Sequence, residues 1–151
     1  MTNKAASLVE QSKQWAKHYG AYSNGEEGHA FTAPLRVRAN WDANDADAIA
    51  EMFTDNGSML MGDDQLKSRD EIRAWLTDAF AGPYKGARMT FEPVEISMLH
   101  RDSALIVAEG GILLAGETEV APERSSRIVF VTVRVDDDWR VLSYQSSPVK
   151  G

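Results

Sequence analysis

The chain has 151 residues, 43% hydrophobic and 26% charged, with no cysteine and a formal net charge of -7. That length fits one domain with a real core, and the negative charge argues against nucleic acid or an anionic membrane as the main partner, since both require clustered Lys and Arg. The lack of cysteine excludes disulfides, thiolate nucleophiles and cysteine metal sites, and no apolar run reaches membrane-spanning length.

The opening residues "MTNKAASLVEQSKQW" lack the uninterrupted apolar stretch of a secretory signal, so the cytoplasm is the expected location. Leu8, Ser12, Trp15, Ala16 and Tyr19 recur at helical spacing and predict an amphipathic helix over 4–19. "YSNGEEGHA" breaks it with glycine and charge and reads as a linker. Residues 1–30 then form an arm ahead of a domain over 31–149.

Pro34 suits the first turn of a helix, with Leu35, Arg38 and Trp41 along one face. Asp45 can cap a short helix over "ADAIAEMF", which "TDNG" ends. "SMLM" is a short strand, and "GDDQLK" a turn into a second. Ser68 and Glu71 make a capping box, and Ile72, Trp75, Leu76, Ala79 and Phe80 follow at helical spacing until "GPYKG", which carries Tyr84. After residue 86 the hydrophobic period becomes two, and four strands fit at 87–99, 103–115, 124–135 and 139–147. Helices followed by an antiparallel meander make an α+β pattern.

Within the second of these strands, "IVAEGGILLAG" places the carboxylate of Glu109 in an apolar run, where burial is costly unless it is paired. Hairpins centred near 118 and 137 put Glu109 opposite Arg127, Arg127 opposite Ser147, and Val129 opposite Gln145; a turn between 101 and 102 puts Val94 opposite Glu109. One face then collects Val94, Ile96, Met98, Leu105, Val107, Val129, Val131, Val133 and Val141. Glu109, Arg127, Ser143, Gln145 and Ser147 lie at its end. Apolar walls with clustered polar groups describe a ligand pocket. The opposite face, with Ile106, Ala108, Ile128, Phe130, Thr132, Leu142 and Tyr144, is too apolar for water and is expected to be a homodimer interface. A cross-strand Glu–Arg pair can equally be structural alone.

Three segments together, "NWDANDADAIAEMFTDNGSMLM", "SRDEIRAWLTDAFAGPYKG" and "VAEGGILLAGETEVAPERSSRIVFVTVRVDDDWRVLSYQSSPV", resemble the nuclear transport factor 2 superfamily. "AFAGPYKG", "EGGILLAGETEVAPE" and "YQSSP" resemble its SgcJ/EcaC-type, SnoaL-like members associated with enediyne natural-product clusters. The resemblance covers about 31–149. It implies a cystatin-like cone: three helices packed into a strongly curved, mainly antiparallel sheet, with a pocket between them and frequent dimerisation through the convex face. It also implies a hydrophobic polyketide or polyene ligand, with a polyketide synthase or thioesterase as a further partner.

Enzymes of that superfamily place acids, histidines or tyrosines inside the cone, and the candidates here are few. Glu109 is the expected acid or base and Arg127 its partner or oxyanion stabiliser, in an isomerase, cyclase or dehydratase reaction. Trp41, Met59, Phe80, Tyr84, Val107, Val129, Ser143 and Gln145 are expected to line the ligand site. The apolar helix stripe favours core for Trp41, ordinary core is also the favoured reading of Met59, and Asp45 reads first as a helix cap, while Tyr84 reads equally as a surface turn residue. His18, His29 and His100 fall in arm or turn positions. No spacing suggests a metal site, a phosphate loop or a nucleophile triad, and no cofactor is implied. Three readings stay open: a binding protein, an enzyme using Glu109, and a structural dimer module.

Overall fold

The computed structural model describes residues 25–149. The element order is α1 (Glu26–Asp42), α2 (Ala46–Glu51), β1 (Phe53–Met61), β2 (Asp64–Leu66), α3 (Arg69–Phe80), β3 (Arg88–His100), β4 (Ser103–Leu113), a 3-10 turn (Pro122–Arg124), β5 (Ser126–Val135) and β6 (Asp138–Pro148). The six strands form one sheet in the order β2-β1-β6-β5-β4-β3. The meander β3 to β6 is antiparallel, and β1 joins β6 in parallel, which makes the sheet mixed. This is the expected α+β fold.

The local signals account for most elements. Asp45 caps α2 by accepting from the Ala48 N–H at 3.0 Å, and Ser68 caps α3 by accepting from Glu71 N–H at 3.1 Å. The Glu71 carboxylate reaches back to Lys67 N–H, one residue beyond the usual capping-box partner. Two expectations need correction. α1 starts at Glu26, inside the stretch read as linker, and Pro34 lies within the helix and not in its first turn. "TDNG" belongs to β1, because the chain turns directly from α2 into a nine-residue strand. The helix expected over 4–19 lies outside the described residues.

The face carrying the core is the reverse of the one expected. Ala104, Ile106 and Ala108 of β4 and Ile128, Phe130 and Thr132 of β5 are fully buried. Phe31 of α1 meets Phe91 edge-on at 6.1 Å between ring centres; Phe91 meets Phe130 at 5.4 Å, and Phe130 meets Tyr144 at 5.3 Å. This is therefore the inner face, covered by the chain's own helix. Leu105, Val107, Glu109, Val129 and Val131 point the other way and are only partly buried, and Arg127 on the same side is exposed. Bulges at Val94 and between Val131 and Thr132 shift the pleat, so Ile96 and Val141 cross to the inner face although alternation from the hairpin turns placed them with Val107.

Candidate functional site

The cross-strand pairing expected for the meander is present: Glu109 lies opposite Arg127, Arg127 opposite Ser147, and Val129 opposite Gln145. Glu92, not Val94, is the β3 neighbour of Glu109, because the bulge falls after Pro93. Arg127 donates to Glu109 at 3.2 Å, with side chains 46% and 42% exposed. The pair is real but sits on the outer face of the sheet. Beside it Gln145 donates to Ser58 and Ser143, each at 3.1 Å, in a polar ladder that ties β6 to β1 on that same face. Glu109, with Glu92, Val94, Gly110 and Ser125, borders a shallow depression of about 500 Å³ at the β3–β4 margin.

The remaining expected residues collect on the other side of the sheet. Trp41 and Met59 are fully buried, while Phe80 and Tyr84 are half-buried and pack against the core. Glu109, Arg127, Val107, Val129, Ser143 and Gln145 are thus separated from Trp41, Met59, Phe80 and Tyr84 by the sheet itself. One pocket cannot use both sets.

The inner set is assembled at one end of the molecule. Asn44, between α1 and α2, donates to the carbonyls of Trp41 and Ala87 at 2.8 Å each and accepts from Gly86 N–H at 2.7 Å. These bonds fasten the end of α1 to the start of β3. Trp41 meets Phe80 edge-on at 5.1 Å and Tyr84 at 6.3 Å, and Trp75 lies 5.7 Å from Tyr84. Trp75, Phe80 and Tyr84 keep partial exposure above the buried Trp41, so the cluster forms an aromatic mouth. Trp75 also donates to Asp64 at 3.2 Å, holding the β1–β2 hairpin to α3.

Polar groups enter this mouth at a few points. Trp41 Nε1 is buried without a hydrogen-bond partner; Thr132 Oγ1, likewise unpartnered, lies beside Ala104 at the other end of the sheet. The Tyr144 hydroxyl, bonded to Ser146 and close enough to Tyr84 to feel its charge, is held neutral because burial pushes its pKa up. It is therefore a donor and not a base. The loop joining β4 to β5 folds back here, with Ala115 against Gly86. In it Arg124 pairs with Glu117 and donates to the Ile112 carbonyl at 3.4 Å. The hydrogen bond from Arg124, helped by Leu114 N–H, holds the Glu117 carboxyl below the usual range, which makes it a poor proton acceptor.

Trp75, Tyr144, Glu117 and Arg124 were not singled out from sequence as site residues. Trp75 was visible as part of a helix face, and Tyr144 as part of a face assigned to a dimer. Glu117 and Arg124 lie in a loop whose folding back has no local signature. Among the described residues no group of three or more acidic, histidine or cysteine side chains could hold a metal, and no helix is long and apolar enough to cross a membrane.

A SnoaL-like domain family model matches residues 37–150. No curated protein matches the chain in sequence. Solved structures share the fold. One is a domain of unknown function with a cystatin-like fold from Nostoc punctiforme, with TM-score 0.74, 21% identity, and 85% of this chain and 80% of that chain covered. Another is a ketosteroid isomerase-like protein from Erwinia carotovora atroseptica, with TM-score 0.65, 19% identity, and 85% and 99% covered. A third is an NTF2-like protein with a cystatin-like fold from Novosphingobium aromaticivorans, with TM-score 0.67, 15% identity, and 100% and 93% covered.

Proposed function

The chain belongs to the SnoaL-like domain family, and from that premise we propose that it binds an apolar, conjugated small molecule at the aromatic mouth formed by Trp41, Trp75, Phe80 and Tyr84. The observation that carries this reading is the buried Trp41 Nε1, a donor with no partner, on a ring that the part-buried Phe80 and Tyr84 meet edge-on. A buried donor left unpaired costs on the order of 1–3 kcal/mol. A carbonyl oxygen of a ligand would satisfy it, and the rings would cover the apolar remainder.

The ligand class we assign is a hydrophobic polyketide or polyene. The protein would assist the processing of that chain in the cytoplasm, during enediyne biosynthesis, beside a polyketide synthase or thioesterase. The support for this is the resemblance carried by "AFAGPYKG", "EGGILLAGETEVAPE" and "YQSSP". We further propose that a second copy covers the outer face, where Leu105, Val107, Val129 and Val131 form an apolar stripe that is only partly buried.

Catalysis by Glu109 as acid or base has less support, because that carboxylate lies on the outer face in an ion pair with Arg127. Among the described residues the fully buried polar set is Thr132 alone, so the interior holds no carboxylate for proton transfer. Quenching of tryptophan emission by cis-parinaric acid, a conjugated tetraene fatty acid, tests the binding reading. Trp41→Phe keeps the ring and removes the donor, and it should weaken binding by about tenfold. Glu109→Ala should leave affinity unchanged. Absence of quenching by the polyene, or equal loss in both variants, would count against the mouth as the site.

A further inference from the structure

The Glu109–Arg127 pair has no part in the mouth, yet its surroundings on the outer face follow a pattern. Leu105 lies opposite Val131, and Val107 opposite Val129, so β4 and β5 present an apolar strip two strands wide. Glu109 and Arg127 close that strip at one end. The flanking strands are polar. On one side β3 places Ser97 beside Leu105, Glu95 beside Val107 and Glu92 beside Glu109. On the other, β6 places Ser143 beside Val131, Gln145 beside Val129 and Ser147 beside Arg127. An apolar centre inside a polar frame is the anatomy of a protein–protein contact surface.

The charges at the end of the strip decide which occupant and which orientation fit. Each row through β4 and β5 is its own complement under a two-fold axis that runs between these strands and parallel to them. Such an axis sets Leu105 against the partner's Val131, Val107 against the partner's Val129, and Glu109 against the partner's Arg127. A two-fold axis at right angles to the strands instead lays Glu109 over the partner's Leu105 or over the partner's Glu109, depending on where it crosses. The first buries an unpaired charge and the second stacks like on like. Both charged groups also have capacity left. Arg127 gives Glu109 one hydrogen bond, at 3.2 Å, from a fork of five N–H donors, and Glu109 accepts it on Oε2. Beside Glu109 lies the depression of about 500 Å³ that Glu92 also borders, which leaves room for a second guanidinium. Glu92 and Glu109 are direct cross-strand neighbours, a juxtaposition of like charges that such a cation would relieve.

We propose that a second copy docks in this two-fold arrangement, its β4 over β5, and that Glu109 and Arg127 of the two copies form one alternating set of four charges at the rim of the contact. This rests on the second copy proposed above for the outer face and adds its register. The set stays at the end of the apolar strip, where water screens it, so removing one charge costs little. Reversing one charge gathers four like charges in one place, which costs far more. The set thereby selects the orientation and rejects the alternatives.

The test is sedimentation velocity of the full chain across a concentration series at low salt. The wild type should dimerise, and Arg127→Glu and Glu109→Arg should each weaken the dimer about tenfold or more; added salt should shrink the difference. The double variant Glu109→Arg/Arg127→Glu exchanges the two charges and should regain most of the loss, which guards against single variants that merely fold poorly. An equimolar mixture of the two single variants should form heterodimers more tightly than either forms homodimers, whereas an ion pair confined to one chain predicts no such preference. A mixture without heterodimers, or a wild-type dimer that Val107→Asp dissociates but neither charge reversal weakens, overturns the register while leaving a second copy on the outer face. A dimer insensitive to all three single changes, or a wild type that stays monomeric throughout the series, overturns both the register and the covering of that face.

Discussion

Replacing Asn44 with alanine should destabilise the protein by about 3 kcal/mol, and the components can be separated. Asn44 holds φ +52°, a left-handed conformation that costs a residue with a Cβ roughly 1–2 kcal/mol unless its side chain bonds locally. Its amide does so three times, to the Trp41 and Ala87 carbonyls at 2.8 Å and from Gly86 N–H at 2.7 Å. Each bond is worth about 1 kcal/mol net. The site is part-buried, so water replaces some of what alanine removes, and the total settles near 3 kcal/mol, not 4 or 5. For a chain of this size that is a fall in Tm of about 10 °C. Urea denaturation monitored by tryptophan emission gives the value directly. Asn44→Gly removes the same bonds without the left-handed penalty and should recover about 1 kcal/mol relative to alanine. Asn44→Asp keeps the acceptor for Gly86 but turns both donors into a carboxylate facing carbonyls, and should be no better than alanine. An Asn44→Ala midpoint within 1 kcal/mol of wild type would falsify the claim that this side chain fastens α1, and with it Trp41, to the sheet.

Gly110→Ala should be among the most damaging single changes, about 3 kcal/mol or more, because its Cβ would stand 2.1 Å from the Thr90 carbonyl oxygen and 2.6 Å from Phe91 Cα; a soluble variant with wild-type urea midpoint would refute this. Glu109→Ala and Arg127→Ala should each cost less than about 1 kcal/mol, since both side chains are over two-fifths exposed; a larger loss would mean the outer face is covered in solution. Acid stability should depend on Asp102 and Glu117. Arg134 hydrogen-bonds Asp102 and Arg124 hydrogen-bonds Glu117, and each holds its carboxyl below the ordinary value. A depressed folded value means that the ionised form stabilises the fold above the unfolded value of about 4 and that this contribution is lost as pH falls through the folded value. Asp102→Asn and Glu117→Gln should therefore lower stability at neutral pH and flatten its fall below about pH 4, as measured by urea midpoints across that range.

The glycines of "EGG" are visible in the amino-acid order, but what crowds them is not. The neighbour at Gly110 is the backbone of β3 itself, and the neighbours at Gly111 are Val120 and the Arg124 carbonyl. Likewise Trp75 and Phe80 were legible as part of an apolar helix stripe. That both stay part-buried, Trp75 against Tyr84 and Phe80 against Trp41, follows only from where α3 ends against the sheet.

Hairpin length and the two-residue pleat were enough, from the amino-acid order alone, to pair Glu109 with Arg127 and Val129 with Gln145, and the caps at Asp45 and Ser68 set where two helices begin. Alternation sorts side chains into two sets but does not say which set meets the helices, and here both sets are apolar. Only the docking of α1 onto Ile106, Ala108, Ile128 and Phe130 resolved that, leaving Val107, Val129 and the ion pair outside. The bulges at Val94 and after Val131 then moved Ile96 and Val141 across the sheet, a displacement set by three-dimensional packing and invisible to a count of residues from the nearest turn.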